Sequence, residues 1–501
     1  MAYQIESIEL FVRPLPPGRA KFVLGKAGRA SNPPKQAQPN PSPDPAPKPK
    51  RRPNGFLICK MTVIDEASGK RVVGLSGDRP SYGWLDKRTV YSGAEKLERL
   101  IEFVSVMREV YLDNAKFTSV FDKWGQGYDE AMLLGDEADH EELTTSFCSA
   151  LYERAMIDAV CRLHDSTIFD MVKSEQLQVD PGAFFEELQG VKISKLLPEK
   201  PTVVINIRHT VGLADPLFEA DLPPESRKND GEPETLEGYV KRDGLRYFKV
   251  KISGDVDTDF PRLQKIWNVL ASSADTPVIT LDGNESYESV AAFTELVEKL
   301  ETDEPGLFDH ILFIEQPLSR KLTHSPRYTE ETRALGAKKP LVIDEADGNP
   351  GAFPSAFEIG YNGVSHKNCK GFIKSLINVA WLNYFDEMTD DPLFMSGEDL
   401  SLMPLIPQHQ DFAALGVLGI NHCERNGHHY SFGLSHLTAT EKVKTIEHHP
   451  ELYIERDGEL HMDIRDGQII CPSVHLDRTG FGVAFEPEWD ALIPFEDWKP
   501  E

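Results

Sequence analysis

Five short apolar runs in the middle of the chain each end in charge. In order they are FKVKI (Lys249, Lys251), VITLDGN (Asp282, Asn284), ILFIEQP (Glu315), PLVIDEA (Asp344, Glu345) and GVSHKNCKG (Lys367, Lys370). Three carboxylates on successive runs offer the hard oxygen ligands that Mg²⁺ takes, one ion per site, with Mn²⁺ as a substitute. A single acidic strand end is often a helix cap, but three in succession are hard to assign that way. No His or Cys stands beside these carboxylates, which argues against zinc. Lys249 and Lys251 lie two apart, so both side chains share one face of a strand. Facing inward, each would lower the other's pKa and supply a base for a proton α to a metal-bound carboxylate. Facing outward, they would pair with helices, and the Phe248 and Val250 alternation allows either. Lys367 comes four strands after Lys251, from the opposite side of a ring. Two amines on opposite faces of one carbon permit proton removal from one side and return to the other, the geometry of a racemase or epimerase. Lys370 competes with Lys367 for that role; its bland reading is the first turn of the next helix, or solvent.

The elements that must position these groups follow from their spacing. From Lys251 onward the charged ends lie 31, 33, 29 and 23 residues apart, the length of a strand, a helix and two loops. Parallel strands with helical crossovers, each delivering a functional group at its carboxyl end, describe a β/α barrel. VVINI, closing on Arg208, His209 and Thr210, reads as the first strand, and PLFMSGEDL as the seventh, with Glu398 and Asp399 at its end. A weaker eighth candidate lies near LGVLGIN. Helix-like segments between them include FPRLQKIWNVLASS, SVAAFTELVEKLE and KSLINVAWLNYF. Arg208 and His209 could bind a substrate carboxylate or pair with the polar insertion DLPPESRKNDGEPETLEG. His422, Glu424, His428 and His429 read as surface groups or as a second metal site.

Ahead of the barrel, YQIESIELFV, FLICKMTVID and SGKRVVG with the aromatic SYGWLD read as an antiparallel meander. Helical patterns run from Ser92 to Leu112 and from Ser146 to Met171. Residues 31–54 are Pro-rich and cannot bury a core; PKPKRR at their end reads as part of a solvated insertion or as an interaction tail. After Leu437, ELYIERDGELHMDIRDGQIICP and GFGVAFEPEWDALIP read as short strands and turns. The expected organisation is a capping region over 1–145, a barrel over 146–437 and a tail over 438–501 that returns to the cap.

A chain of 501 residues with a formal charge of -27 is large enough for several domains and too acidic to bind phosphate backbones. No apolar stretch reaches the roughly 18 residues needed to span a bilayer, and MAYQIESIEL lacks the features of a signal peptide. Six scattered cysteines without a CxxC pair suit free thiols in a reducing cytoplasm. Phosphate loops, dinucleotide fingerprints and Ser nucleophile elbows are absent from the sequence.

These strand ends resemble those of the enolase superfamily, within the mandelate racemase and muconate-lactonizing-enzyme family and near its dipeptide epimerases. The KxK, D-x-N, E-Q-P and D-E motifs occur in that family's order and spacing over residues 245–372. ALYERAMIDAV is similar to the helix that leads into the family's barrel, and RDGQIICPSVHLDRTGFGVAFEPEWDAL to its closing tail. The resemblance implies an α+β capping domain on a modified (β/α)₇β barrel, one Mg²⁺, a small carboxylate substrate and a homo-oligomer. It places Asp282, Glu315 and Asp344 as metal ligands, Lys251 and Lys367 as acid/base groups, and Lys249 as a neighbour that tunes them. Asn284, Glu345, Glu398, Asp399, Arg208 and Lys370 then stand in substrate or supporting positions. Two departures stand out: Lys370-Gly371-Phe372 keeps one glycine of the family's pair, and the Pro-rich insertion falls near the substrate-covering loop.

The reaction expected is α-proton abstraction through an enediolate, with racemisation or epimerisation of an amino-acid derivative or dipeptide first. Dehydration of a β-hydroxy acid or acid sugar and cycloisomerisation share its first step. A Schiff-base aldolase would leave the three carboxylates unexplained. A barrel that has lost its chemistry would not keep all five groups.

Overall fold

The computed structural model describes residues 2–15, 55–227, 231–399, 402–425, 434–476 and 480–499. The Pro-rich stretch, PKPKRR, His428 and His429 lie outside them.

Eight parallel strands form the expected barrel: Val204–Val211, Tyr247–Lys251, Val278–Asp282, Ile311–Glu315, Leu341–Ile343, Gly363–His366, Phe394–Gly397 and His422–Arg425. They pair in sequence order, and the eighth closes on the first through Asn206 to His209. The eighth strand is not the apolar LGVLGIN, most of which completes the helix Ile406–Leu418, capped by Gly419 in the left-handed region. The strand is the polar HCER that follows. Both of its faces are polar for a reason: Glu424 turns inward to Lys249, while Arg425 turns outward to Asp411 on that helix.

A separate antiparallel sheet of Tyr3–Pro14, Gly55–Asp65 and Arg71–Asp78 forms the cap, and Ile493–Pro494 pairs with its first strand. SYGWLD departs from the meander and folds as a helical turn, Tyr82–Leu85. Helix Gly93–Leu112 starts at Ser92, where Ser92 and Glu95 form a reciprocal capping box. The second helical pattern resolves into two helices, Glu142–Leu163 and Ile168–Lys173. Asp165 at φ +49° breaks the run, and the Thr167 side chain caps the restart. Helix Glu142–Leu163 is buried along most of its length. Helix Val120–Glu137 packs against it closely enough that a Cβ on Gly135 would lie 2.2 Å from Thr145 Oγ1. The tail holds a helix, Ala439–His448, besides its short strands, of which Gln468–Ile470 runs antiparallel to the first barrel strand. Within the described residues no helix is long and apolar enough to cross a membrane.

Candidate active site

Strand register brings the charged ends together. Lys251 stands opposite Asp282, and Asp282 opposite Glu315. Glu315 stands beside Val342, and Asp344 follows two residues later on the same strand path. Below this mouth the barrel interior is aromatic: Phe313 packs 5.3 Å from Phe394, and Tyr247 stacks 5.5 Å from His422. The acidic strand ends and the lysines therefore gather at the carboxyl end of the strands, where ligands bind in β/α barrels.

Lys249 and Lys251 both face inward, and Phe248 and Val250 are buried under the helices. Lys249 is fully buried, and its Nζ donates to Glu315 at 2.8 Å, Glu398 at 2.6 Å and Glu424 at 3.1 Å, with Asp282 a fourth ion-pair partner at 2.9 Å. Burial pulls its pKa down, but the four carboxylates outweigh burial and hold it well above the usual lysine range. The mutual depression expected of the KxK pair is thus overridden at Lys249. Lys251 is partly exposed and donates to Asp282 at 2.5 Å. Glu315 bears the crowding: burial, then the charges of Asp282 and Glu398, push its pKa well up against the pull of Lys249.

Lys367 leaves the end of the sixth strand and donates to Asp344 Oδ2 at 2.6 Å, with the Trp84 ring of the cap 4.2 Å from its Nζ. Burial lowers its pKa, but Asp344 outweighs burial and raises it. Lys370 lies in the turn Asn368–Lys370 and is buried, not solvated. It reaches Asp347 at 2.9 Å, Ser365 Oγ at 2.7 Å and Asp344 at 3.4 Å. Asp344 resists burial because Lys367 and Lys370 hold its pKa well below the usual range. His366 turns away from the mouth, with Nδ1 2.8 Å from Ser375 Oγ, and burial lowers its pKa to about 3.

Arg208 and Glu398 pair with each other beneath the mouth. Arg208 also donates to Gly397 O at 2.6 Å and sits 5.0 Å from the Phe313 ring, so it meets neither the insertion nor an open site. Asp399 is buried near Arg425, and burial pushes its pKa up to about 6. His209 packs 4.7 Å from the Tyr239 ring. Asn284 donates from its backbone to Asp282 and from its side chain to Glu345 at 3.0 Å.

The three acidic strand ends suit a hard divalent cation in donor type. Asp282 and Asp344 both raise the pKa of Glu315, a crowding that a cation between them would relieve. As the side chains stand, no three Asp, Glu, His or Cys among the described residues cluster tightly enough to hold an ion. The ammonium groups of Lys249, Lys251 and Lys367 take up those carboxylates instead.

Sequence reasoning missed four contributors. Glu424 was read among surface or second-metal groups but points into the barrel, where it accepts from Thr210 Oγ1 at 2.8 Å as well as from Lys249. Trp84 and Lys87 come from the cap. Lys87 donates to Glu345 at 2.7 Å and to Asn284 O at 2.6 Å. Arg320, just after the fourth strand, holds Leu85 O at 3.0 Å and pairs with Glu285 at 3.1 Å. The tryptophan in an otherwise polar turn was the available signal.

No known family profile matches the sequence, and no curated protein matches it. Solved structures match the fold over nearly the whole chain. An isomerase from Streptomyces coelicolor A3(2) aligns with 97% of this chain and 97% of its own at 13% identity, TM-score 0.55. The 3,6-anhydro-D-galactonate cycloisomerase from Zobellia galactanivorans aligns over 99% and 100% at 13% identity, TM-score 0.52. A mandelate racemase/muconate lactonizing enzyme from a marine actinobacterium, in complex with magnesium, aligns over 100% of both chains at 11% identity, TM-score 0.52. The resemblance read from the strand ends is met in the fold: a modified TIM barrel with an antiparallel cap, shared with mandelate racemase/muconate lactonizing enzymes.

Proposed function

We propose that the chain is an enzyme that moves the proton α to a substrate carboxylate, and that its first reaction is racemisation or epimerisation of an amino-acid derivative or dipeptide. The observation that carries this reading is the placement of two amines on opposite flanks of one acidic mouth. Lys251 stands on Asp282 and Lys367 on Asp344, from strands two and six of eight. Asp282, Glu315 and Asp344 would hold Mg²⁺. Bound there, Mg²⁺ would stabilise charge on the substrate carboxylate and draw Asp282 and Asp344 away from the lysines, lowering the lysines' affinity for protons.

The residues then divide the work. One amine takes the α-proton as the C–H electron pair moves into the carboxylate, giving an enediolate. The protonated amine opposite returns a proton to the other face, inverting the centre. Lys367, kept protonated by Asp344 until a cation takes that carboxylate, would give a proton in the direction begun by Lys251; the reverse reaction exchanges the roles. Lys249, with four carboxylate partners, keeps their charge in register and is poorly placed to accept a proton. Asn284 and Glu345 fix the mouth against Lys87. Trp84 shields Lys367 from water.

Cycloisomerisation is the second reading, favoured by the fold shared with a cycloisomerase. It uses the same abstraction, followed by loss or addition of a group at the β-carbon. A panel of dipeptides, N-acyl amino acids and acid sugars in D₂O with Mg²⁺, read by mass spectrometry with and without EDTA, tests both. Expected is uptake of one deuterium, abolished by EDTA. Racemisation retains the substrate's connectivity, cycloisomerisation gives a ring isomer of the same composition that chromatography separates, and elimination gives an alkene lighter by the leaving group. Metal-independent exchange, or none with any carboxylate, counts against the proposal.

A further inference from the structure

The helix that follows the turn carrying Lys367 has no N-cap side chain of its own. The chain leaves the sixth strand at His366, passes through the turn Asn368–Lys370, reverses at Gly371 with φ +106°, and starts the helix Phe372–Asp386. Residues with a side chain rarely adopt that backbone, and glycine does. The first N–H groups of any helix lack partners within it.

The partner comes from 219 residues earlier in the chain. Glu153, buried on the helix Glu142–Leu163, accepts with Oε1 from the backbone N–H of Phe372 at 2.7 Å and of Ile373 at 2.8 Å. A carboxylate at a helix N-terminus also meets the positive end of the helix dipole. Its Oε2 lies 3.1 Å from the point where a Cβ on Gly371 would stand. The backbone reversal is therefore filled from behind by this side chain. In front, the lysine tips are held by Asp344 and Asp347.

We infer that Glu153 is a positioning residue for Lys367: by capping the helix Phe372–Asp386 it fixes the turn from which Lys367 is presented to the mouth. This rests on the proton-transfer reading for Lys367, since Glu153 itself touches no reacting group.

Its electrostatics fit a group kept for position. Burial pushes the Glu153 pKa up to about 7, against the two N–H bonds and Arg154 on the same helix. Tyr111 and Tyr128 of the cap helices feel its charge, and Lys374 follows on the capped helix. With its folded pKa raised, the folded state binds the Glu153 proton more tightly than the unfolded chain does. Ionisation therefore costs stability, a cost absent in acid and complete above about pH 7. A residue present for stability alone would not be placed so.

Two variants test this in the full chain. In E153Q the shape is kept and the charge removed; in E153M both hydrogen bonds are lost. Amide hydrogen exchange of the peptide spanning 366–376 is measured without substrate, with a peptide around Lys251 as control. The expected result is faster exchange in the 366–376 peptide of E153M by tenfold or more, with the control unchanged. E153M is expected to lose deuterium uptake several-fold in kcat with KM unchanged, while E153Q, whose side-chain oxygen still accepts both N–H groups, keeps most of that uptake and melts no lower than the parent at pH 8. Parent-like protection of that peptide in E153M overturns the inference, as does an E153Q variant that loses uptake as E153M does. If the parent takes up no deuterium from any carboxylate, the proton-transfer reading fails, while the substrate-free exchange still decides whether Glu153 anchors the turn.

Discussion

The two lysine-bearing flanks of the mouth solve the same problem in opposite ways. On the strand-two flank, Lys249 and Lys251 stand two apart on a regular strand, and Lys249 gathers four carboxylates from four different strands. On the strand-six flank, Lys367, Lys370 and Lys374 come from a turn and a helix start, and share Asp344 and Asp347. Acid is in excess over base around Lys249; base is in excess over acid around Asp347. Lys374 shows the consequence, since burial pulls its pKa down to about 8 despite Asp347. A strand presents its side chains by register alone, whereas a turn needs supports from elsewhere, here Trp84 and Glu153. The first flank is fixed by local geometry, the second by tertiary contacts.

If that contrast is correct, the largest effect belongs to Lys249. Removing it leaves four buried carboxylates without their shared counter-charge, and breaking a buried pair costs about 3–5 kcal/mol. K249M is expected to lower unfolding free energy in urea by at least that amount at neutral pH. K251M, at a partly exposed position with one close carboxylate partner, is expected to lose under about 1 kcal/mol. Equal losses would mean that the four-carboxylate arrangement carries no special weight.

Next come the two amines as proton carriers. General acid–base groups contribute about 10²–10⁴-fold, so K251A and K367A are each expected to slow turnover by that factor. The asymmetry lies in stereochemistry. Each variant should stop deuterium wash-in from the stereoisomer whose α-proton faces the missing amine and retain wash-in from the other. Loss from both isomers in both variants would contradict the two-sided geometry.

A smaller effect is expected from Trp84, which acts on the strand-six flank alone. Its ring lies 4.2 Å from Lys367 Nζ, and a partly desolvated cation–π contact is worth about 0.5–2 kcal/mol. W84L should therefore slow wash-in from the Lys367-facing isomer by up to about tenfold and spare the Lys251-facing isomer. Equal slowing of both would assign Trp84 to substrate binding instead.

The contrast also explains what the sequence revealed. Register-placed groups were legible: Lys249, Lys251, Asp282 and Glu315 sit at the ends of apolar strands, where period-two alternation tells which side chains share a face. Contact-placed groups were not. Glu153 sits in the middle of a buried helix 219 residues from the backbone it caps, and no local pattern marks it. Trp84 and Lys87 belong to a turn whose aromatic content imitates a strand. The eighth strand was misplaced because HCER is polar on both faces, Glu424 turning in to Lys249 and Arg425 out to Asp411, while the end of the helix before it, LGVL, is apolar and reads as a strand. Helix Val120–Glu137 went unread because Gly125, Gly127 and Gly135 weaken its helical signature. Gly135 is there because Thr145 leaves no room for a side chain.

The smallest effect isolates the cap from the flanks. Lys87 bridges Glu345 and the Asn284 carbonyl, but its side chain is 30% exposed, so solvent screens the pair. Ion pairs of this exposure contribute roughly 0–1 kcal/mol. K87M is therefore expected to leave the unfolding free energy almost unchanged. Glu345 loses a cationic partner and keeps Asn284, so the mouth retains its shape while the cap turn is still held there by Arg320 on Leu85 O and by the Trp84 ring on Lys367. The expected signature is a several-fold rise in KM at unchanged kcat, with both stereoisomers affected alike because Lys87 belongs to neither amine's flank. A fall in kcat confined to one isomer would place Lys87 with the proton-transfer groups and blur the division between the two flanks.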